Sequence, residues 1–228
     1  MKMELIQLSM PLLLSGLLLT LKISIFAVVI GFFIGLGLAI ARISGSFMLA
    51  AFSQGYSSVF RGTPLMVQLF LFYYGLGQLS FIRDSALAWW VIGDGVRCAI
   101  LVLALNSAAY TSEILRGGFM SVPKGALEAA RACGMSKWLQ FRRIEFPIAM
   151  RQALPAYGNE VILTLKGSSL ASTIAVLEIT GHAKRLMSQT FAVIEVFAMA
   201  GAIYLFINVV MIVLLRLTER SLMRHMAA

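Results

Sequence analysis

Lys166 and Ser169 lie three residues apart, about one helical turn, and a lysine beside a serine is the minimum of a Ser–Lys hydrolytic dyad. Such a dyad needs a buried, neutral lysine aimed at an exposed serine, and no neighbouring residue supplies an oxyanion site. Asn106, Tyr110 and Glu113 recur at i, i+4 and i+7 and so share one face of a helix. Asn159 and Lys166 are also seven apart, with Glu160, Thr164 and Ser168 as an adjacent stripe. Amides, a phenol, carboxylates and one amine in these positions are the chemistry of holding a polar group, and no catalytic residue is assigned. Cys98 and Cys133 form neither a CxxC nor a Cys/His cluster, so no metal is expected. No GxxxxGK[ST] loop is present, so ATP is not expected to bind this chain.

The surroundings of these residues are apolar. Of 228 residues, 60% are hydrophobic and 13% charged, against about 25% charge in an ordinary soluble domain. The composition is that of an all-α integral membrane protein with the bilayer as its main partner. A formal charge of +9 does not point to nucleic acid, because the bases sit in small groups at the ends of apolar runs without interleaved aromatics. A spanning helix needs ~20 mostly apolar residues. Five spans are expected, at about 16–40, 58–82, 97–116, 152–176 and 196–216, in a single domain covering 1–228. The apolar run from Leu5 to Ala41 is too long for one span and too short for two, so residues 4–14 are read as a short interfacial helix; a sixth span is the alternative. Gly31, Gly35 and Gly37 permit close helix approach in the first span.

Charge sets the orientation. Twelve of the nineteen bases fall in the segment from Arg42 to Arg61, the segment from Arg116 to Arg151 and the tail after Leu215, while the alternating segments are balanced. The positive-inside rule makes the first set cytoplasmic, with the amino terminus outside and the carboxy terminus inside. Counting ~1.5 Å per residue, Asn106 and Glu160 fall near the midplane, Glu113 near the cytoplasmic end and Lys166 toward the outside. Ionisable groups at such depths face a cavity or a protein neighbour. For Glu160 and Asn106, contact with a substrate or gate and a structural bond between helices stay open. For Tyr110 and Lys166 the structural reading leads.

The cytoplasmic loop 117–148 carries its own helix signals. Ser121 before Pro123 is a start and ALEAARAC favours helix. Gly134 is a stop, Ser136 a cap for a second helix, and Pro147 is expected to close that helix. Trp138, Phe141 and Ile144 give the second helix an apolar edge. The loop could lie on lipid headgroups or simply be solvated. The small residues clustered beside Glu128 fit instead the close approach of another protein's backbone.

Glu128-Ala129-Ala130, three residues, Gly134, nine residues, Ile144, one residue, Phe146-Pro147 resembles the cytoplasmic signature of permease subunits of bacterial ATP-binding-cassette importers, with Phe146 in place of the usual Leu. FRGTPLMVQLFLFYYG (60–75), LNSAAYTSEILRGGFMSVPKG (105–125) and LPAYGNEVILTLKGSSLAS (154–172) are similar to the polar amino-acid branch. The likeness runs from about residue 12 to residue 221 and is strongest to permeases for histidine, lysine, arginine, ornithine and opines; Gly167 after Lys166 favours this group. The resemblance implies a transport subunit, not an enzyme, in the bacterial cytoplasmic (inner) membrane. It implies a coupling loop that docks, through Glu128, Ala129, Ala130, Gly134, Ile144 and Pro147, on two separate ATPase subunits that hold ATP and Mg. A second permease and an external solute-binding protein complete the set of partners. A stand-alone channel or secondary transporter is the alternative and would not need the docking loop.

Overall fold

The computed structural model describes residues 2–223, with side chains from 5 to 220, and these are helical with no strand among them. Three helices carry the length and apolarity to cross a membrane. They are α1 (Lys2–Ile43), α6 (Gly95–Met120) and α11 (Val193–Met223). Between them lie α2 (Phe47–Gly62), α3 (Leu65–Phe70), α4 (Ser80–Asp84), α5 (Ala86–Ile92), α7 (Lys124–Ala132), α8 (Lys137–Gln140), α9 (Phe146–Gly167) and α10 (Ile179–Thr190).

The separate helix expected over 4–14 is not seen. Residues 2–43 form one helix with Pro11 inside it. Leu13, Leu17 and Leu21 pack against Ile179, Ala183 and Leu186 of α10 and Val196 and Ala200 of α11, and this packing continues the helix past the proline. Lower down, α1 lies along α6. A Cβ on Gly31 would stand 3.0 Å from the Ala104 carbonyl, and one on Gly35 would stand 2.7 Å from Thr111 Cβ. Both glycines therefore serve the close approach, whereas Gly37 faces open space.

The apolar run 58–82 is not one helix. Pro64 separates α2 from α3, and α3 passes through a π turn (Leu71–Gly75) and a 3-10 turn (Leu76–Gln78) before α4. A proline removes a helical N–H and crowds the carbonyl four residues back. The last carbonyls of α2 therefore need other donors, and those donors help build the cavity described below.

Helix α9 crosses α6 where Gly118 meets Ala149 and Ala153. A Cβ on Gly118 would come within 2.5 Å of the Ala149 carbonyl, a backbone atom with no freedom to yield. Gly118→Ala is expected to destabilise the fold by about 1–3 kcal/mol, the usual cost of overpacking. A lowered midpoint of thermal unfolding in detergent would show it, and an unchanged midpoint would refute the tight crossing.

Beyond α9 the chain makes a 3-10 segment (Ser168–Ile174), a left-handed residue at Ala175 (φ 62°) and a bend of 45° into α10. Glu178 caps α10 from a fully buried position. Its carboxylate accepts the Thr180 N–H at 2.9 Å, the Gly181 N–H at 2.8 Å and the Tyr204 hydroxyl at 2.7 Å, which ties α10 to α11. A buried carboxylate is tolerated here because its oxygens are satisfied.

Candidate functional site

The loop between α6 and α9 is built from capping chemistry. Ser121 closes α6 rather than opening α7: its hydroxyl donates to the Gly118 carbonyl at 2.7 Å, and α7 begins after Pro123. At the other end, Gly134 adopts φ +73°. Its N–H donates to the Arg131 carbonyl at 2.9 Å, and the Met135 N–H donates to the Ala130 carbonyl at 3.1 Å. This pair of bonds is a Schellman stop, and the left-handed residue it requires is the reason for glycine. Ser136 then caps α8 by accepting the Leu139 N–H at 3.3 Å.

Pro147 does not close the second helix. The chain runs from α8 through a π turn (Phe141–Glu145) into α9, with Pro147 in the first turn of α9. Proline is tolerated in a first turn, and the wider π turn relieves its clash with the preceding carbonyls. The continuation is also held by packing. Phe141 stacks on Phe119 at 5.8 Å and meets Phe146 at 5.9 Å, over a core of Leu115, Ala149 and Ala153.

This architecture divides the loop residues. Glu128, Ala129 and Gly134 are exposed, Ala130 is buried, and Ile144 and Pro147 are half-buried. Trp138, at one end of the apolar edge it forms with Phe141 and Ile144, is 68% exposed. The exposed set offers one acid, small residues and an indole to a partner. The buried set holds that surface on the end of α6 and α9.

The intramembrane polar residues separate into three places. Asn106, Tyr110 and Glu160 come together with Thr164 around a cavity of about 240 Å³ closed by Leu65, Leu103 and Leu163. Glu160 is only 5% exposed and accepts the Thr164 hydroxyl at 3.1 Å. No basic side chain among the described residues pairs with it.

Asn106 is half structural. Its amide nitrogen donates to the Phe60 carbonyl at 3.3 Å and to Gln68 Oε1 at 3.0 Å, while Gln68 donates to the Phe60 carbonyl at 2.8 Å and to Thr63 Oγ1 at 2.8 Å. These bonds supply the donors that the Pro64 break removes. A carbonyl can only accept, so they also fix which end of each amide points to Phe60. Gln68 and Thr63 were not singled out as site residues. The signal was present, since Gln68 is an isolated amide in an apolar run just after a Thr-Pro break.

Glu113 lies elsewhere. It receives Arg116 Nε and Nη2 at 2.9 Å, Arg42 Nη1 at 3.4 Å and Arg61 Nη1 at 4.0 Å, and so joins the ends of α1, α2 and α6 nearest the loop. Arg61 also stacks on the Tyr110 ring, 5.6 Å from its centroid, which connects this ion cluster to the cavity wall. Asn159 and Lys166 are exposed and do not line the Glu160 cavity. Lys166 borders a separate groove with Ser169, Tyr204 and Asn208. Ser169 donates its hydroxyl to the Lys166 carbonyl oxygen at 2.7 Å, so it is held by backbone and not by the amine that a dyad would need. Cys98 is buried and Cys133 exposed, and neither is bridged.

A cavity with polar groups among apolar helices, joined to a capped helical loop that exposes an acid and small residues, is the outline of a membrane transport component. The chain belongs to the family of binding-protein-dependent transport system inner membrane components, whose model matches residues 31–224. It is 50% identical over 228 residues to the nopaline transport system permease protein NocM of Agrobacterium fabrum (strain C58 / ATCC 33970), covering all of this chain and 95% of that one. It is 39% identical over 211 residues to the histidine/lysine/arginine/ornithine transport system permease protein HisM of Escherichia coli (strain K12), covering 92% and 89%. Among solved structures it resembles an amino acid ABC transporter with histidines, at TM-score 0.82 and 36% identity over 93% of this chain and 94% of that one. The MetNI methionine ABC transporter in an inward-facing conformation shares the fold at TM-score 0.77 and 18% identity, covering 93% and 97%. The chain is thus a permease, a transport component and not an enzyme.

Proposed function

We propose that this permease carries a polar, basic amino acid or an opine across the bacterial cytoplasmic membrane, driven by ATP hydrolysis on a partner. The observation that carries the proposal is Glu160. It is a carboxylate withdrawn from water, beside a polar cavity, with no cation of the described chain opposite it. An isolated charge of this kind is costly unless paired. A guanidinium or ammonium group of a substrate supplies the pair, with Asn106, Tyr110 and Thr164 as neutral neighbours. The relatives named for nopaline and for histidine, lysine, arginine and ornithine support the same class of cargo.

Five spans, with the amino terminus outside and the carboxy terminus inside, put the 117–148 loop in the cytoplasm. There Glu128, Ala129 and Gly134 meet one of two ATP-binding subunits, which hold ATP and Mg. Ala130, Ile144 and Pro147 keep the contact surface in place. A second permease, a sister chain or another copy of this one, completes the pathway, and an external solute-binding protein delivers the cargo. Asn159 and Lys166 face that second permease or the solvent path, while Glu113 fastens the inner ends of three helices.

Reconstitution with the ATPase and binding protein tests the reading. Uptake of arginine, histidine or an opine should require ATP and exceed that of glutamate by at least about tenfold, roughly one charge-assisted contact. Equal uptake of glutamate would overturn the substrate class, and uptake persisting without the ATPase would overturn the coupling.

A further inference from the structure

A second, larger groove of about 650 Å³ opens on the outside of the bundle between α1 and the α5–α6 corner. It has two chemically distinct ends. Its floor is apolar, with Phe26 and Ile30 of α1 exposed along it. Its head carries Lys22, Trp90, Asp94 and Arg97. None of these residues touches the Glu160 cavity.

The charges at the head do not cancel. Asp94 is engaged twice by Arg97: it accepts the Arg97 backbone N–H at 2.9 Å as the cap of α6, and its oxygen lies 3.6 Å from Arg97 Nε. That Nε is buried and makes no hydrogen bond. The guanidinium carbon lies over the Trp90 ring, 4.4 Å from its centroid, a cation–π contact that holds the group at the groove head. Lys22 is exposed and has no ion-pair partner among the described residues. The head, with Lys22 and Arg97 against Asp94, therefore presents a surplus of one positive charge.

Depth fits the same occupant. Arg97 and Arg116 bracket ~29 Å of α6 at 1.5 Å per residue, close to the ~30 Å of hydrocarbon in a bilayer. The head of the groove thus lies at the membrane boundary opposite α7, where tryptophan is favoured. The floor runs from Lys22 past Phe26 and Ile30 into the hydrocarbon.

We propose that this groove binds one anionic phospholipid, its phosphodiester between Lys22 and Arg97 and an acyl chain along Phe26 and Ile30. The phosphodiester oxygens accept from the exposed part of the Arg97 guanidinium, whose side chain is 38% exposed, and from the lysine ammonium, and the tail covers apolar surface that would otherwise be open. The test uses the full-length chain in micelles containing equal amounts of phosphatidylglycerol and phosphatidylcholine, with retained lipid read by native mass spectrometry. The wild type should retain phosphatidylglycerol selectively. Lys22→Gln, a change at an exposed position that leaves folding intact, should lower that retention about five-fold, the order expected for one base at a lipid surface. A benzophenone amino acid at position 26 should crosslink to lipid. Equal retention of the two lipids, retention unchanged by Lys22→Gln, or a crosslink to a second copy of the chain in place of lipid would each overturn the proposal.

Discussion

Glu128→Lys should abolish ATP-driven uptake while leaving the chain as stable as the wild type. The two halves of that result follow from separate observations. Stability is spared because Glu128 is exposed on α7 and has no ion-pair partner among the described residues. The Schellman stop at Gly134 and the Ser136 cap, which shape the loop, do not use it. The loss of function follows from the docking proposed above: a docked acid would meet a complementary donor, and reversal would leave two like charges facing each other in a desolvated contact. Disrupting a buried interfacial charge pair costs about 2–5 kcal/mol, so association with the ATPase should weaken by roughly two orders of magnitude. Co-purification of the ATPase with the permease, beside ATP-dependent uptake, reads both halves. Glu128→Gln should fall between the two. A Glu128→Lys transporter that retains its ATPase and its uptake rate would remove this residue from the docking surface.

How much of this was legible beforehand depended on the range of the interaction. Helix α11 follows directly from apolar length, and Gly134 from the need for a left-handed residue at a helix end. Those are local properties. The fate of the prolines was not local. Pro64 breaks a run whose apolarity argued for one helix, and the break is tolerable only because Gln68 and Asn106 donate to Phe60. Pro147 fails to end a helix because a π turn precedes it and because Phe141 and Phe146 pack on Phe119 and the core beneath. Pro11 is carried through α1 by contacts with α10 and α11, more than 160 residues away in sequence. The candidate site shows the same division. Helical spacing placed Asn106, Tyr110 and Glu113 on one face, and two of them do share a cavity with Glu160. Spacing could not say that Arg42 and Arg61 would reach Glu113 from two other helices. Nor did it bring out Glu178, whose acceptors are used by Tyr204 and by two backbone amides.

The second large effect is expected at Glu160, where function and stability should move apart. Glu160→Gln keeps the side chain's size and keeps an oxygen to accept the Thr164 hydroxyl. It removes the charge and turns the second acceptor oxygen into an amide donor. A buried carboxylate without a cationic partner is unfavourable in the empty protein, so the amide should leave stability unchanged or raise it. If a cationic cargo occupies the cavity, the same change removes a charge-assisted contact worth about 1.5–3 kcal/mol, or roughly a ten- to hundred-fold loss in apparent affinity. A purely structural carboxylate predicts neither the direction nor the dependence on cargo charge. The decisive comparison is arginine against citrulline, which replaces the guanidinium with a neutral urea of nearly the same shape. The wild type should favour arginine and Glu160→Gln should lose most of that preference, with thermal midpoints in detergent no lower than before. If the variant keeps its preference for arginine, the charge is read elsewhere in the pathway. If it simply unfolds more easily, Glu160 is a helix-to-helix contact and the cavity beside it has no part in recognising the cargo's charge.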